Sequence, residues 1–266
     1  MAQPRRIGLA LVSVAAVLAA CGELTAEEAQ QALDEASLSS AAVSLAGNSI
    51  ELSTHFTIGS AVNAAATELS SFVQSQLPCA QITVSGATLT IQYGAVPGNC
   101  TFEGQTYAGT HTITIMSNGA SEVAVEHQWT NFHNQTVSVT GSAMVTWSAA
   151  DATRHVSHSL TWTRSSDMHT GTGTGDWTQM ALPGGILVGF AESGQAHWTS
   201  SGGTWALTIA SVQMRWIDPC PQAGTYTLTT PAGKTLTLSF NRTDQTTIAA
   251  TIESGGHRYE IDVHTL

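Results

Sequence analysis

Two hydrophobic periods divide the chain. Ahead of Cys79, apolar and small residues recur every three or four positions, the spacing that places side chains on one face of an α-helix; beyond it they alternate with polar residues, as on a half-buried strand. In "LTAEEAQQALDEASLSSAA", Thr25 is followed three residues later by Glu28 and preceded by Leu24, which makes a capping box with a hydrophobic staple. The pattern predicts a helix over about 26–38, and its acidic, Ala- and Gln-rich make-up reads as a solvated spacer. "LSSAAVSLAGNS" then runs into a turn signal at Gly47 and Asn48. A second helix is expected at about 60–77, where Val62, Ala65, Ala66, Leu69, Phe72, Val73 and Leu77 form one stripe, Ser60 stands at the start and Pro78 at the stop. A single stripe implies packing against a sheet face.

After Cys79 the alternation persists to the end. "QITVSGATLTIQYG" reads as a hairpin around a Ser-Gly turn, and "SEVAVEHQWT", "NQTVSVTGSAMVTWSA", "TRHVSHSLTWTR", "QAHWTSSGGTWALTIASVQMRW" and "GTYTLTTPAGKTLTLSF" follow in the same style. Thr, Val, Ile, Tyr and Trp dominate these runs, as pleated surfaces prefer. Short connections between roughly a dozen strands favour an antiparallel meander. The expected fold class is therefore all-β with N-terminal helices: a large antiparallel meander forming an open barrel or sandwich, with one helix packed on the sheet. A membrane-spanning barrel fits poorly, because many positions on its lipid-facing side would be Thr, Ser or Ala.

The N-terminus carries an address. "MAQPRR" is followed by "IGLALVSVAAVLAA", a charged region and then a short apolar one, the layout of a secretory signal. The apolar run is shorter than the about 20 residues a transmembrane helix needs. "LAAC" at Leu18 to Cys21 resembles the lipobox of bacterial lipoproteins. The resemblance is confined to the first two dozen residues. It implies cleavage before Cys21, acylation of its thiol and new amino group, and tethering by acyl chains, each buried methylene contributing about 0.8 kcal/mol. Gly22 stands where an Asp would resemble an inner-membrane retention signal, so the expected location is the cell envelope, at the outer membrane. The domain plan that follows is a signal peptide over 1–20, a lipidated Cys21 with a helical spacer over 21–46, and the β domain over 47–266.

Charge narrows the partners. Removal of residues 1–20 takes away Arg5 and Arg6 and leaves six basic against nineteen acidic residues, a net charge of −13. Nucleic-acid binding needs clustered cations to displace counterions, and the sequence offers none; an anionic membrane would repel the body of the chain as well. With Cys21 acylated, Cys79 and Cys100 are the local choice for a disulfide in an oxidising compartment, which leaves Cys220 between Pro219 and Pro221 as a small hydrophobe in a constrained turn.

Candidate chemistry is diffuse. His127 and His133, His155 and His158, and His169, His197, His257 and His264 are spread over several strands without a ligand spacing that converges on one metal. Gly171, Gly173 and Gly175 in "HTGTGTGDW" alternate by two with no helix after them, so they read as a closely packed strand, not a phosphate loop. Asp151, His155 and Ser157 could be drawn as a triad, and two of Glu122, Glu126 and Asp176 as a glycosidase-type carboxylate pair, but composition alone supplies such sets. Of seven tryptophans, Trp129, Trp147 and Trp162 are candidates to line a ligand site if they do not simply fill the core. The chain reads as a lipid-anchored, non-enzymatic structural or binding module with no catalytic residue, metal or cofactor assigned. Its partners are the membrane and a hydrophobic ligand or envelope protein. The alternatives are a periplasmic carrier or chaperone for a hydrophobic ligand, and a hydrolase or metal-dependent enzyme with a site built across strands.

Overall fold

The computed structural model describes residues 24–102 and 104–265. Cys21 and the signal segment lie outside the described residues. Two helices, α1 (Ala26–Leu52) and α2 (Val62–Gln76), precede the strands β1 (Gln81–Ser85), β2 (Thr88–Tyr93), β3 (Thr101–Phe102), β4 (Gln105–Thr106), β5 (Ala108–Asn118), β6 (Glu122–His133), β7 (Val137–Ser148) and β8 (Thr153–Arg164). Then come β9 (Thr170–Ala181), β10 (Gly189–Ser200), β11 (Gly203–Arg215), β12 (Ala223–Thr229), β13 (Thr235–Arg242), β14 (Thr247–Ser254) and β15 (His257–His264). All but β3 and β4 belong to one antiparallel sheet of 13 strands, ordered as in the chain from β1 to β15, while β3 and β4 pair as a separate ribbon. The order is linear, with β1 and β15 at its two ends, so the meander is present and the sheet is not closed into a barrel.

The described residues form two compact units, one made of those up to Ala36 together with those from Gly175 onward, the other of those between Ser37 and Thr174. In the second unit α2 lies against β1, β2 and β5 and buries Ala65, Ala66, Leu69 and Val73, so the apolar stripe meets a sheet face as its spacing implies. Its start differs from the expectation. Ala61 is the capping residue and makes no side-chain bond, while Ser60 Oγ turns back to the Thr57 carbonyl.

α1 corrects the sequence reading more substantially. The capping box forms, with Thr25 N–H donating to Glu28 Oε2 at 2.7 Å and Glu28 N–H to Thr25 Oγ1 at 3.1 Å. The helix then continues through Gly47 and Asn48 to Leu52. Nor is it a solvated spacer: Leu38, Ala42, Leu45, Ala46, Ser49, Ile50 and Leu52 are buried in the second unit, and Ala32 and Glu35 in the first. Ala32, Ala42, Ala46 and Ser49 alternate with the larger apolar residues of this buried face, and their small side chains let the helix pack closely but give little hydrophobic contrast along the sequence.

The first hairpin forms as expected, with Ser85 opposite Thr88 and Gly86 at positive φ in the turn. Cys79 and Cys100 are disulfide-bonded with Cα atoms 5.3 Å apart. The glycine-rich "HTGTGTGDW" is the start of β9, with Gly171 and Gly173 on its buried side. A Cβ at Gly171 would stand 2.6 Å from Trp162 Nε1, so the glycine exists to admit that ring.

Candidate functional site

The densest set of chemistry-bearing side chains lies inside the second unit, where α1 meets β5 and β6. Pairing sets His111 of β5 opposite Trp129 of β6, and Ile113 opposite His127. Because side chains alternate along a strand, His111 shares a face with Ile113 and Ile115, and His127 and Trp129 share one with Val123 and Val125. All of these are buried, His111 and His127 completely.

The polar atoms in this interior are organised as two short chains that end on α1. His111 Nε2 and His127 Nδ1 lie 3.0 Å apart, His127 Nε2 is 3.5 Å from Ser53 Oγ, and Ser53 Oγ–H donates to the Ile50 carbonyl at 2.6 Å. Beside them, Trp129 Nε1–H donates to Ser49 Oγ at 2.9 Å, and Ser49 Oγ–H donates to the Ala46 carbonyl at 2.7 Å. Serines in and just past a helix commonly bond back to carbonyls of the preceding turn; here Ser49, in α1, and Ser53, one residue beyond its end, each also meet a side chain of the sheet. The three rings stack, with centroids 5.2 Å apart for His111 and His127, 5.3 Å for His111 and Trp129, and 5.8 Å for His127 and Trp129. Next to them Tyr93, Tyr107 and Phe132 form a second buried aromatic group, with centroids 5.4 to 5.5 Å apart.

Burial decides the charge state. It drives the His111 imidazole well below its ordinary range, with the neighbouring His127 acting in the same direction, and it holds His127 at about 3, with Arg154 adding to the effect. Both rings are neutral near pH 7. Burial likewise raises the Tyr93 phenol, whose hydroxyl has no hydrogen-bond partner, as is also true of His111 Nδ1. Two neutral imidazoles in direct hydrogen bond, sealed from water, can fix a register and transmit strain. They cannot exchange protons with a substrate that does not reach them.

The residues singled out from sequence fall elsewhere, with the exceptions of His127 and Trp129. Trp162 is buried and packed over Gly171, and Trp147 is half-buried opposite Arg154. Among the described residues no group of three or more His, Cys, Asp or Glu side chains stands close enough to hold a metal ion. His158, on β8, is pushed down to about 4 by burial, and His133 Nδ1 lies 2.8 Å from the Asn131 carbonyl. The Asp151 carboxylate accepts from Ser148 Oγ at 2.8 Å. Glu122 and Glu126 are exposed along β6, and Asp176 is exposed on β9. Cys220 is a free thiol, half-buried, and raised by burial and by the Asp218 carboxylate, the opposite of nucleophile activation.

Ser49, Ser53 and His111 were not identifiable as a site from residue type alone. Strand parity was the available signal, since "HTITI" and "VAVEHQW" place both histidines in phase with the apolar positions. Compared with protein-family models, curated proteins and solved structures, the chain matches none.

Proposed function

We propose that this chain is a lipid-anchored protein of a bacterial cell envelope, tethered through Cys21 at the outer membrane, whose β body is a non-catalytic structural or binding module. The observation that carries the non-catalytic part is the closure of the His111–His127 network: the side chains best suited to acid–base work are fully buried and spent on one another, on Ser53 and on stacking with Trp129. The tether rests on "LAAC" behind "MAQPRR" and the apolar run. An exported location agrees with the Cys79–Cys100 disulfide, since such bonds persist in oxidising compartments.

The test is expression of the full-length gene in a two-membrane bacterium grown with a clickable palmitate analogue. Wild-type protein should carry the label and sediment with outer membranes, and Cys21→Ala should lose both. An unlabelled wild-type chain would sink the anchor. Turnover of an ester or glycoside substrate that is lost on Asp151→Asn or Glu126→Gln would sink the non-catalytic reading.

A further inference from the structure

The first unit carries an apolar tip made by two loops far apart in sequence. The β9–β10 connection, "LPGGILVG", exposes Ile186 and Leu187, and the β11–β12 connection, "RWIDPCPQ", exposes Trp216 and Ile217. These are four of the most exposed large apolar side chains, with Leu187 at 90% and Ile217 at 72%. Trp216 Nε1–H donates to the Ile186 carbonyl at 2.6 Å, the Trp216 N–H to the Val188 carbonyl at 3.3 Å, and the Trp216 ring packs on Phe190 with centroids 5.4 Å apart. Trp216 thus joins the two loops, which carry the four exposed side chains at one end of the strands.

We propose that this tip inserts into the headgroup and acyl-chain boundary of a phospholipid bilayer. Two features favour lipid over a protein partner. The first is that the tip's backbone supplies many of its own hydrogen bonds: Gly185 N–H donates to Leu182 O, Val188 N–H to Gly185 O, Leu182 N–H to Gly189 O and Asp218 N–H to Arg215 O. An apolar medium cannot satisfy such groups, so a segment that enters it must do so internally. The second is charge. In a chain with a large acidic excess, the only carboxylate in these loops, Asp218, is buried against Arg242, with Arg215 Nε 3.9 Å away. The tip therefore shows aliphatic groups and tryptophan backed by two arginines, which complements lipid phosphates. Asp244, the exposed acid one hairpin further on, is held by the Thr246 N–H and Oγ.

This contact is separate from the Cys21 tether. Successive hairpin connections alternate between the two ends of the strands, so the tip stands at the end of β10–β12 away from the β12–β13 turn, where Lys234 Nζ meets Glu28 at the start of α1 at 2.7 Å. Strands of 12 and 13 residues span roughly 40 Å. The start of α1 and the tip both reach one bilayer surface when these strands lie along it.

The experiment reconstitutes the full chain into vesicles of equal parts phosphatidylcholine and phosphatidylglycerol, with and without bromine on the phosphatidylcholine acyl chains, and reads tryptophan emission from the vesicle-bound fraction. Bromolipid should quench the wild type by about the share of one tryptophan among seven. Trp216→Phe should abolish that loss, and so should Leu187→Asp with Ile217→Asp, which keeps Trp216 in place. Equal quenching in wild type and both variants overturns the proposal. So does a dimer in vesicle-free buffer that the double aspartate variant dissolves, since the occupant would then be a second copy. Flotation yield reports the tether and quenching of the bound fraction reports the tip, so the two failures are distinguishable.

Discussion

His111 Nε2 donates to His127 Nδ1. The two atoms lie 3.0 Å apart, and the geometry beyond them selects the direction. Ser53 gives its only proton to the Ile50 carbonyl, so it meets His127 Nε2 as an acceptor and that nitrogen must carry hydrogen. His127 Nδ1 is then bare and accepts from His111, which leaves His111 Nδ1 as an unpartnered acceptor, not an unpartnered donor. The opposite tautomers would bury an orphan N–H and leave the Ser53 contact without a proton. The chain therefore runs from β5 through β6 to a carbonyl of α1.

A pH dependence of stability follows. Both imidazoles are neutral in the folded protein, with His127 held at about 3, while in the unfolded chain each takes up a proton near 6.5. As pH falls below 6.5 the unfolded state binds protons the folded state cannot, so this stability is complete above 6.5 and is lost on acidification. The slope is roughly 1.4 kcal/mol per pH unit for each histidine. Urea midpoints measured at about pH 7.5 and 5.5 should fall steeply in the wild type, and His111→Gln with His127→Gln should flatten the dependence. His158, lowered to about 4 by burial, should leave a residual slope in that variant.

The neighbouring chain makes a different demand. Ser49→Ala removes the acceptor of the buried Trp129 N–H without touching the ring. An unsatisfied buried donor costs about 1–3 kcal/mol. Trp129→Phe in the Ser49→Ala background should recover part of that cost, because the orphan leaves with the indole, and a double-mutant cycle by urea denaturation would show favourable coupling between the two residues. Additive losses would mean that the N–H finds water instead.

Cys79 and Cys100 close a loop with a sequence separation of 21 that contains β1 and β2. Chain-entropy arguments assign a loop of this size about 3 kcal/mol. Cys79→Ser with Cys100→Ser should lower stability by about that amount. A reductant should produce a loss of similar origin but somewhat smaller size in wild type, and no change in the variant. Cys79 is buried, so part of the loss in the variant will be packing and should exceed that of simple reduction.

What was legible followed from periodicity. The switch from helical to alternating pattern at Cys79, the stripe of α2 and the succession of hairpins are direct records of which faces meet a core, and the sheet forms accordingly. α1 is not legible beyond residue 38 because Ala42, Ala46 and Ser49 are buried for their smallness, and smallness resembles a loop when read along a chain. Gly47 reinforced the error, since glycine usually marks a turn; within α1 it simply leaves open space. The histidine network was out of reach for another reason. His111 and His127 sit 16 residues apart, and only the register of β5 against β6 brings them into contact.

Gly171 offers the sharpest test of packing, because two effects of one methyl group oppose each other there. Its φ is not in the left-handed region, so alanine is permitted by the backbone and would gain about 0.5–1 kcal/mol over glycine in a strand. The added Cβ, however, would lie 2.6 to 2.8 Å from three atoms of the Trp162 indole, a ring only 2% exposed and without room to withdraw. Overpacking of this kind costs about 1–3 kcal/mol, so the steric term wins and Gly171→Ala should destabilise the protein. In a Trp162→Leu background the clash is gone while the strand preference remains, and the same substitution should then become neutral or stabilising. Thermal melts of the four proteins of this cycle measure the reversal. A loss that persists without Trp162 would place the constraint in the backbone of β9 instead of in the indole.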